Sequence, residues 1–219
     1  MSVMQRVAFL VCSAFALAVN AGAAPSFGCT KADTASEKTV CAAQSLQWLD
    51  RQAAQLYAAA SSRQAAKERT ALVRSQRDFL LRREACMADA QRPAACLEQI
   101  YIARLYALGG LTGVYEAFAE YTPPKDYAGA LWIARYPFTA SVYLSTARTL
   151  DGRECRLEFD GATKGGKGVI RWRVPASTLD QACRLNLIPE GDDVRIESKG
   201  CALACGQGAT TDGGYLRKK

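Results

Sequence analysis

Phe27-Gly28-Cys29-Thr30-Lys31-Ala32 opens the stretch that decides the fold, and the stretch runs to Leu105. Its later landmarks are Glu37-Lys38-Thr39-Val40-Cys41, Leu49-Asp50, Leu56-Tyr57, Gln76-Arg77-Asp78-Phe79-Leu80, Arg83-Glu84-Ala85-Cys86, Cys96-Leu97, Tyr101 and Arg104-Leu105. Thr34-Ala35-Ser36-Glu37 is a capping box, so the first helix starts there. Ala42, Leu46, Leu49, Ala53, Leu56 and Ala60 recur every three or four residues and form one apolar stripe. Ser61-Ser62-Arg63 reads as a turn. A second helix carries Ala65, Leu72, Gln76, Phe79, Arg83 and Cys86 on one face, and Gln76 and Arg83 need partners if that face is buried. Pro93 suits the first turn of a third helix, whose stripe is Leu97, Tyr101, Leu105 and Leu108, and Gly109-Gly110 ends it.

In an antiparallel pair of helices turning near residue 63, positions equidistant from the turn face each other. That geometry pairs Cys41 with Cys86 and leaves Cys29 with Cys96 beyond the open end. Each bond would then contribute about 4 kcal/mol by closing a long loop of the unfolded chain. The same geometry sets Asp50 opposite Arg77 as an interface ion pair.

Outward from this stretch, residues 1–23 read as a secretory signal peptide. Met1 to Arg6 is short and basic, Val7 to Val19 is apolar, and Ala21-Gly22-Ala23 is a cleavage signal. The apolar run is too short to span a bilayer. Loss of Arg6 with the signal lowers the net charge from +7 to +6. Eight cysteines remain, at 29, 41, 86, 96, 155, 183, 201 and 205. An even count in an exported chain reads as disulfides, four cysteines to each half. The expected compartment is therefore the periplasm or the exterior.

Pro123-Pro124 marks a boundary, with a short helix expected before it over Leu111 to Tyr121. Beyond it the period changes from helical to alternating. Leu131-Trp132-Ile133-Ala134-Arg135-Tyr136, Arg153 to Phe159, Val169 to Val174, Cys183 to Leu187 and Val194 to Ile196 read as five short strands, with Gly191-Asp192 as a turn. The fold class expected is α+β: an N-terminal disulfide-stapled three-helix hairpin domain at 24–122, then a small antiparallel disulfide-bonded β domain at 129–219. In the second half, Cys201–Cys205 with Cys155–Cys183 is the favoured pairing, and Cys155–Cys201 with Cys183–Cys205 is the alternative. Cys201 and Cys205 have three residues between them, where a redox pair has two.

Histidine is absent, which removes Ser-His-Asp and Cys-His catalysis in their usual forms and every His-ligated metal. Gly161 to Gly168 has phosphate-loop spacing, but Gly168 stands where Ser or Thr must hold magnesium, so a strand connection is the better reading. No cofactor or metal site and no catalytic residues are expected. Two basic features could meet a partner. Arg63, Lys67 and Arg74 fall on one helix face, and Lys164 and Lys167 lie in the Gly-rich loop, where they could approach catalytic carboxylates. Export and the lack of interleaved aromatics disfavour nucleic acid.

The order of motifs from Phe27 to Leu105 resembles the LprI-type family of bacterial envelope proteins, named after a lysozyme inhibitor. The resemblance covers about 80 residues, carries no residue motif for inhibition, and does not reach the C-terminal half. It implies a non-enzymatic inhibitor of lysozyme or of another cell-wall-degrading enzyme, acting by steric occlusion. A net charge of +6 favours an acidic target, since a basic one is repelled at long range. The alternative is a structural envelope protein bound to peptidoglycan or to anionic wall polymer.

Overall fold

The computed structural model describes residues 24–88, 91–114, 117–164, 167–173, 183–201, 205 and 211–219, with the backbone alone at 164, 167, 172 and 173. Residues 1–23, expected to be a signal peptide, lie outside that range. The protein is α+β, a disulfide-bonded helical part followed by an eight-stranded antiparallel barrel.

Four helices form where three were expected. Thr34 caps α1 (Ala35–Ala42): its Oγ1 accepts from the Glu37 backbone N–H at 3.2 Å, and the Glu37 carboxylate accepts from Thr34 N–H in return. The helix does not run on through the apolar stripe. Ala43 adopts extended backbone (φ −129°, ψ 120°) and restarts the chain as α2 (Gln44–Arg63). The stripe residues Leu46, Leu49, Ala53, Leu56 and Ala60 are all buried, as the spacing requires. Next come α3 (Ala66–Ala85) and α4 (Pro93–Gly109), which carries Pro at its N-terminus and buries Leu97, Tyr101, Leu105 and Leu108.

The packing partner of α2 is α4. This overturns the cysteine pairing drawn from an α2–α3 hairpin. The bonds are Cys29–Cys41 and Cys86–Cys96, each closing a local loop. Cys41 lies near the end of α1, before the chain bends at Ala43. It sits over the 3₁₀ turn Cys29–Lys31. Loops of 12 and 10 residues give about 3 kcal/mol each in the chain-entropy model, less than the wider pairing would have given.

The barrel consists of β1 (Phe118–Thr122), β2 (Tyr127–Arg135), β3 (Thr139–Arg148), β4 (Glu154–Lys164), β5 (Lys167–Arg173), β6 (Arg184–Glu190), β7 (Asp193–Lys199) and β8 (Gly213–Arg217). Each strand pairs with the next, and Tyr121 of β1 pairs with Arg217 of β8 to close the ring. Closure gives each strand a neighbour on both sides. The alternating residues foreseen on one face of β4 (Cys155, Leu157, Phe159), β6 (Leu185, Leu187) and β7 (Val194, Ile196) point inward with Leu131, Ile133, Val142, Leu144 and Tyr215. Side chains fill the interior, as expected of an eight-stranded barrel. The Gly191 turn is also as foreseen: Gly191 has φ +65°, and it joins β6 to β7.

Residues 118–122 are strand, not the end of a short helix, so the barrel begins inside the segment expected to be helical. The disulfides of this half match neither expected set: Cys155 joins Cys205, and Cys183 joins Cys201. All four cysteines are buried against the barrel core. Cys155 lies on β4 and Cys183 directly precedes β6, so each is stapled to the segment that leads from β7 into β8.

One hydrophobic cluster spans both halves. The outward residues Phe118, Trp132, Ala134 and Tyr143 of β1–β3 pack on Trp48, Leu49 and the α4 stripe. Trp48, Trp132 and Tyr143 have ring centroids 5.1 to 6.1 Å apart. Their polar atoms are satisfied across the joint. Ser141 Oγ accepts from Trp48 Nε1 and from Gln52 Nε2, each at 3.1 Å, and Gln52 Oε1 accepts from Tyr136 OH at 2.6 Å. Arg51 adds an ion pair to Glu158 on β4.

Candidate partner-binding surface

The third helix, α3, is 20 residues long and touches the rest of the molecule with a narrow strip. Leu72, Phe79 and Arg83 are its only buried residues. Two buried arginines fix it. Arg83 is 7 % exposed, with Nη1 3.3 Å from Tyr101 OH and 3.9 Å from Asp50 Oδ1, and with Nη2 3.6 Å from Glu37 and 3.7 Å from Glu84. Burial alone would lower its pKa. Tyr101, Asp50 and Glu84 outweigh that cost and hold the guanidinium above its ordinary value. Arg104 reaches up from α4. It donates to Ser75 Oγ at 3.2 Å and to Gln76 Oε1 at 2.7 Å, and it lies 5.6 Å over the Phe79 ring. The partners that Gln76 and Arg83 needed are therefore present.

Asp50 is 5 % exposed, and its partner is not Arg77, as expected, but a cage at the base of α3. It accepts from Tyr101 OH at 2.8 Å, from Ser26 N–H at 2.7 Å and from Ser26 Oγ at 2.5 Å. Burial, then the Asp50 charge, pushes the Tyr101 hydroxyl well above the ordinary tyrosine range, so it stays a donor. Ser36 Oγ and Thr34 Oγ1 both donate to Glu84, which joins the start of α1 to the end of α3. The Glu37 carboxyl is held below the usual range, first by the Thr34 backbone N–H and then by that of Asp33.

Above this base the helix is open to solvent. Lys67, Arg74 and Leu81 are spaced by seven, and Thr70 and Arg77 interleave with them, so all five share the ridge opposite Leu72 and Phe79. Leu81 is 70 % exposed, and Val73 and Leu80 form a half-exposed ledge beside it. Arg77 and Leu81 were missed as ridge residues from the sequence, although the interval of seven from Lys67 through Arg74 leads to Leu81. Arg63 does not share the face of Lys67 and Arg74. It ends α2, extended backbone at Gln64 and Ala65 separates it from α3, and its guanidinium lies over Gly113. Lys164 and Lys167 are opposite each other in register where β4 passes to β5, on the rim of the barrel.

A cleft of about 530 Å³ lies between α4 and the β1–β8 seam, lined by Tyr106, Glu120, Asp192, Arg217, Lys218 and Lys219. Both Glu120 oxygens are engaged, Oε2 by Trp132 Nε1 at 3.0 Å and Oε1 by Lys218 Nζ at 2.8 Å. Burial, and then the Glu120 charge, raises the pKa of Glu98 on α4. Among the described residues no group of His, Cys, Asp or Glu is arranged to hold a metal, and no helix is long and apolar enough to cross a membrane.

Comparison with protein-family models, with curated proteins and with solved structures finds no match to this chain. The four disulfides fit an oxidising compartment outside the cytoplasm.

Proposed function

We propose that this is an exported inhibitor of a lysozyme or another cell-wall-degrading enzyme, and that it acts by steric occlusion. One observation carries the reading: α3 presents Lys67, Arg74 and Arg77 with Leu81 on a single exposed ridge. Enzymes that cleave wall glycans line their clefts with carboxylates, and a cationic ridge with an apolar tip complements such a cleft in charge and in shape. Arginine is well suited to the contact because its planar fork can engage a carboxylate through two bonds. Buried Arg83 of α3 and Arg104 of α4 tie the ridge to the rest of the molecule, so little ordering entropy is lost on binding. The resemblance of residues 27–105 to LprI-type proteins supports the same target class. Periplasmic or secreted localisation is part of the proposal.

The test is a wall-clearing assay. Oxidised mature protein is titrated against a panel of muramidases and wall amidases that includes an acidic member. Loss of activity at near-equimolar protein is expected, and K67E/R74E/L81D should weaken it by roughly a hundredfold. A flat response across the panel, or a triple variant as potent as the parent, would overturn the proposal.

A further inference from the structure

The helices pack on the outside of β1–β3, and among the described residues none packs on the outside of β5–β7. Alternation there is fixed by the buried residues: Leu185, Leu187, Val194 and Ile196 face the interior. The positions between them face out, and Arg171, Arg184, Glu197 and Lys199 are exposed. The register places Arg173 of β5 opposite Arg184 of β6, and Arg184 opposite Lys199 of β7. Three basic residues thus occupy one cross-strand row spanning roughly 10 Å, two strand spacings. Arg171 stands two residues along β5, opposite Asn186.

Like charges directly opposite each other destabilise a sheet. On the same face the neighbouring Arg195 is neutralised. It is paired with both Glu190 and Glu197. Among the described residues no carboxylate pairs with Arg184 or Lys199. A row of this kind is stable at low cost only in water or under an anion, and its length suits several anionic groups of one chain better than a single ion.

We infer that this row is a binding surface for a linear anionic polysaccharide. The disulfides place the protein outside the cytoplasm, where acidic glycans are the abundant polyanions. The sheet supplies cations at the regular interval of its strands, so successive carboxylates of an extended uronate chain can each meet one. The row belongs to the barrel, apart from the α3 ridge, and the inference does not rest on the proposed inhibition. Binding here would tether the protein to envelope glycan.

The experiment is affinity electrophoresis of the full mature protein through gels containing polygalacturonate, with neutral dextran as the blank, at low and at moderate salt. Retardation by polygalacturonate that falls with salt is expected. R184Q/K199Q should weaken it by roughly five- to tenfold. K31Q/K38Q, which removes the same charge from exposed lysines of the helical part, should leave it unchanged. Denaturation midpoints of both variants confirm folding. Absence of retardation, equal loss in both variants, or tighter binding to single-stranded DNA of matched charge would overturn the inference.

Discussion

Replacing Asp50 by alanine tests the cage that seats α3. The Asp50 carboxylate is 5 % exposed and accepts three hydrogen bonds, two from Ser26 and one from Tyr101, with Arg83 Nη1 3.9 Å away. Its removal takes the acceptor from the Tyr101 hydroxyl and leaves Arg83 buried with Glu37 at 3.6 Å and Glu84 at 3.7 Å as its carboxylate partners. Breaking a buried charge cluster from one side costs about 3–5 kcal/mol, and the two remaining carboxylates put this case near about 3. Arg83→Met removes the cation instead. Asp50 keeps its three neutral donors, so the expected cost is about 2 kcal/mol. The double variant leaves no guanidinium short of its counter-charge. It should therefore be less destabilised than the sum of the single variants, by more than about 1 kcal/mol. Urea denaturation of the oxidised protein at neutral pH measures all three, followed by tryptophan fluorescence. Hydrogen exchange localises the loss, and the α3 amides should lose protection first in both single variants. Additivity within about 0.5 kcal/mol, or a D50A cost below about 1 kcal/mol, would refute the cage as the anchor of α3.

The remaining predictions concern the joint between helices and barrel. Glu98 has a raised pKa in the folded state, so its ionisation favours the unfolded chain. Stability from this group is present below the unfolded carboxylate value of about 4 and is lost as pH rises through the folded value. E98Q should therefore raise the urea midpoint at about pH 7 and leave it nearly unchanged at about pH 3; equal effects at both would show that the site does not titrate as described. Trp48 is fully buried between α2 and the barrel wall and donates to Ser141. W48A should cost about 3–5 kcal/mol, and calorimetry should show one unfolding transition for the parent and two for the variant. An unsplit transition would mean that the joint is not what couples the two parts.

Local patterns that are bound to one segment were legible in the sequence. The Thr34 capping box starts α1, the Pro93 and Gly109 signals bound α4, and the buried stripes of α2 and α4 follow the helical period. Gln76 and Arg83, polar residues on an apolar stripe, announced that partners were needed, though not which ones. Cys155, Leu157 and Phe159 announced an inward face because β4 alternates cleanly. Alternation fails where both sides of a strand are covered. Thr139–Arg148 has its inner residues in the barrel and Ser141 and Tyr143 under Trp48 and Gln52, so it carried no period-two signal and was missed. Phe118–Thr122 was read as helix for the same reason, with four successive buried residues. Gly213–Arg217 contributes only one buried side chain, and it became a strand by closing the ring against β1. Disulfide pairing was not legible, because it depends on where α2 and α4 lie after the bend at Ala43 and on how β4 and β6 meet the segment before β8. The α3 ridge was half legible. Lys67 and Arg74 share a face by helical spacing alone, but only the packing of Leu72, Phe79 and Arg83 decided which way that face turns, and therefore that Leu81 stands exposed at its end.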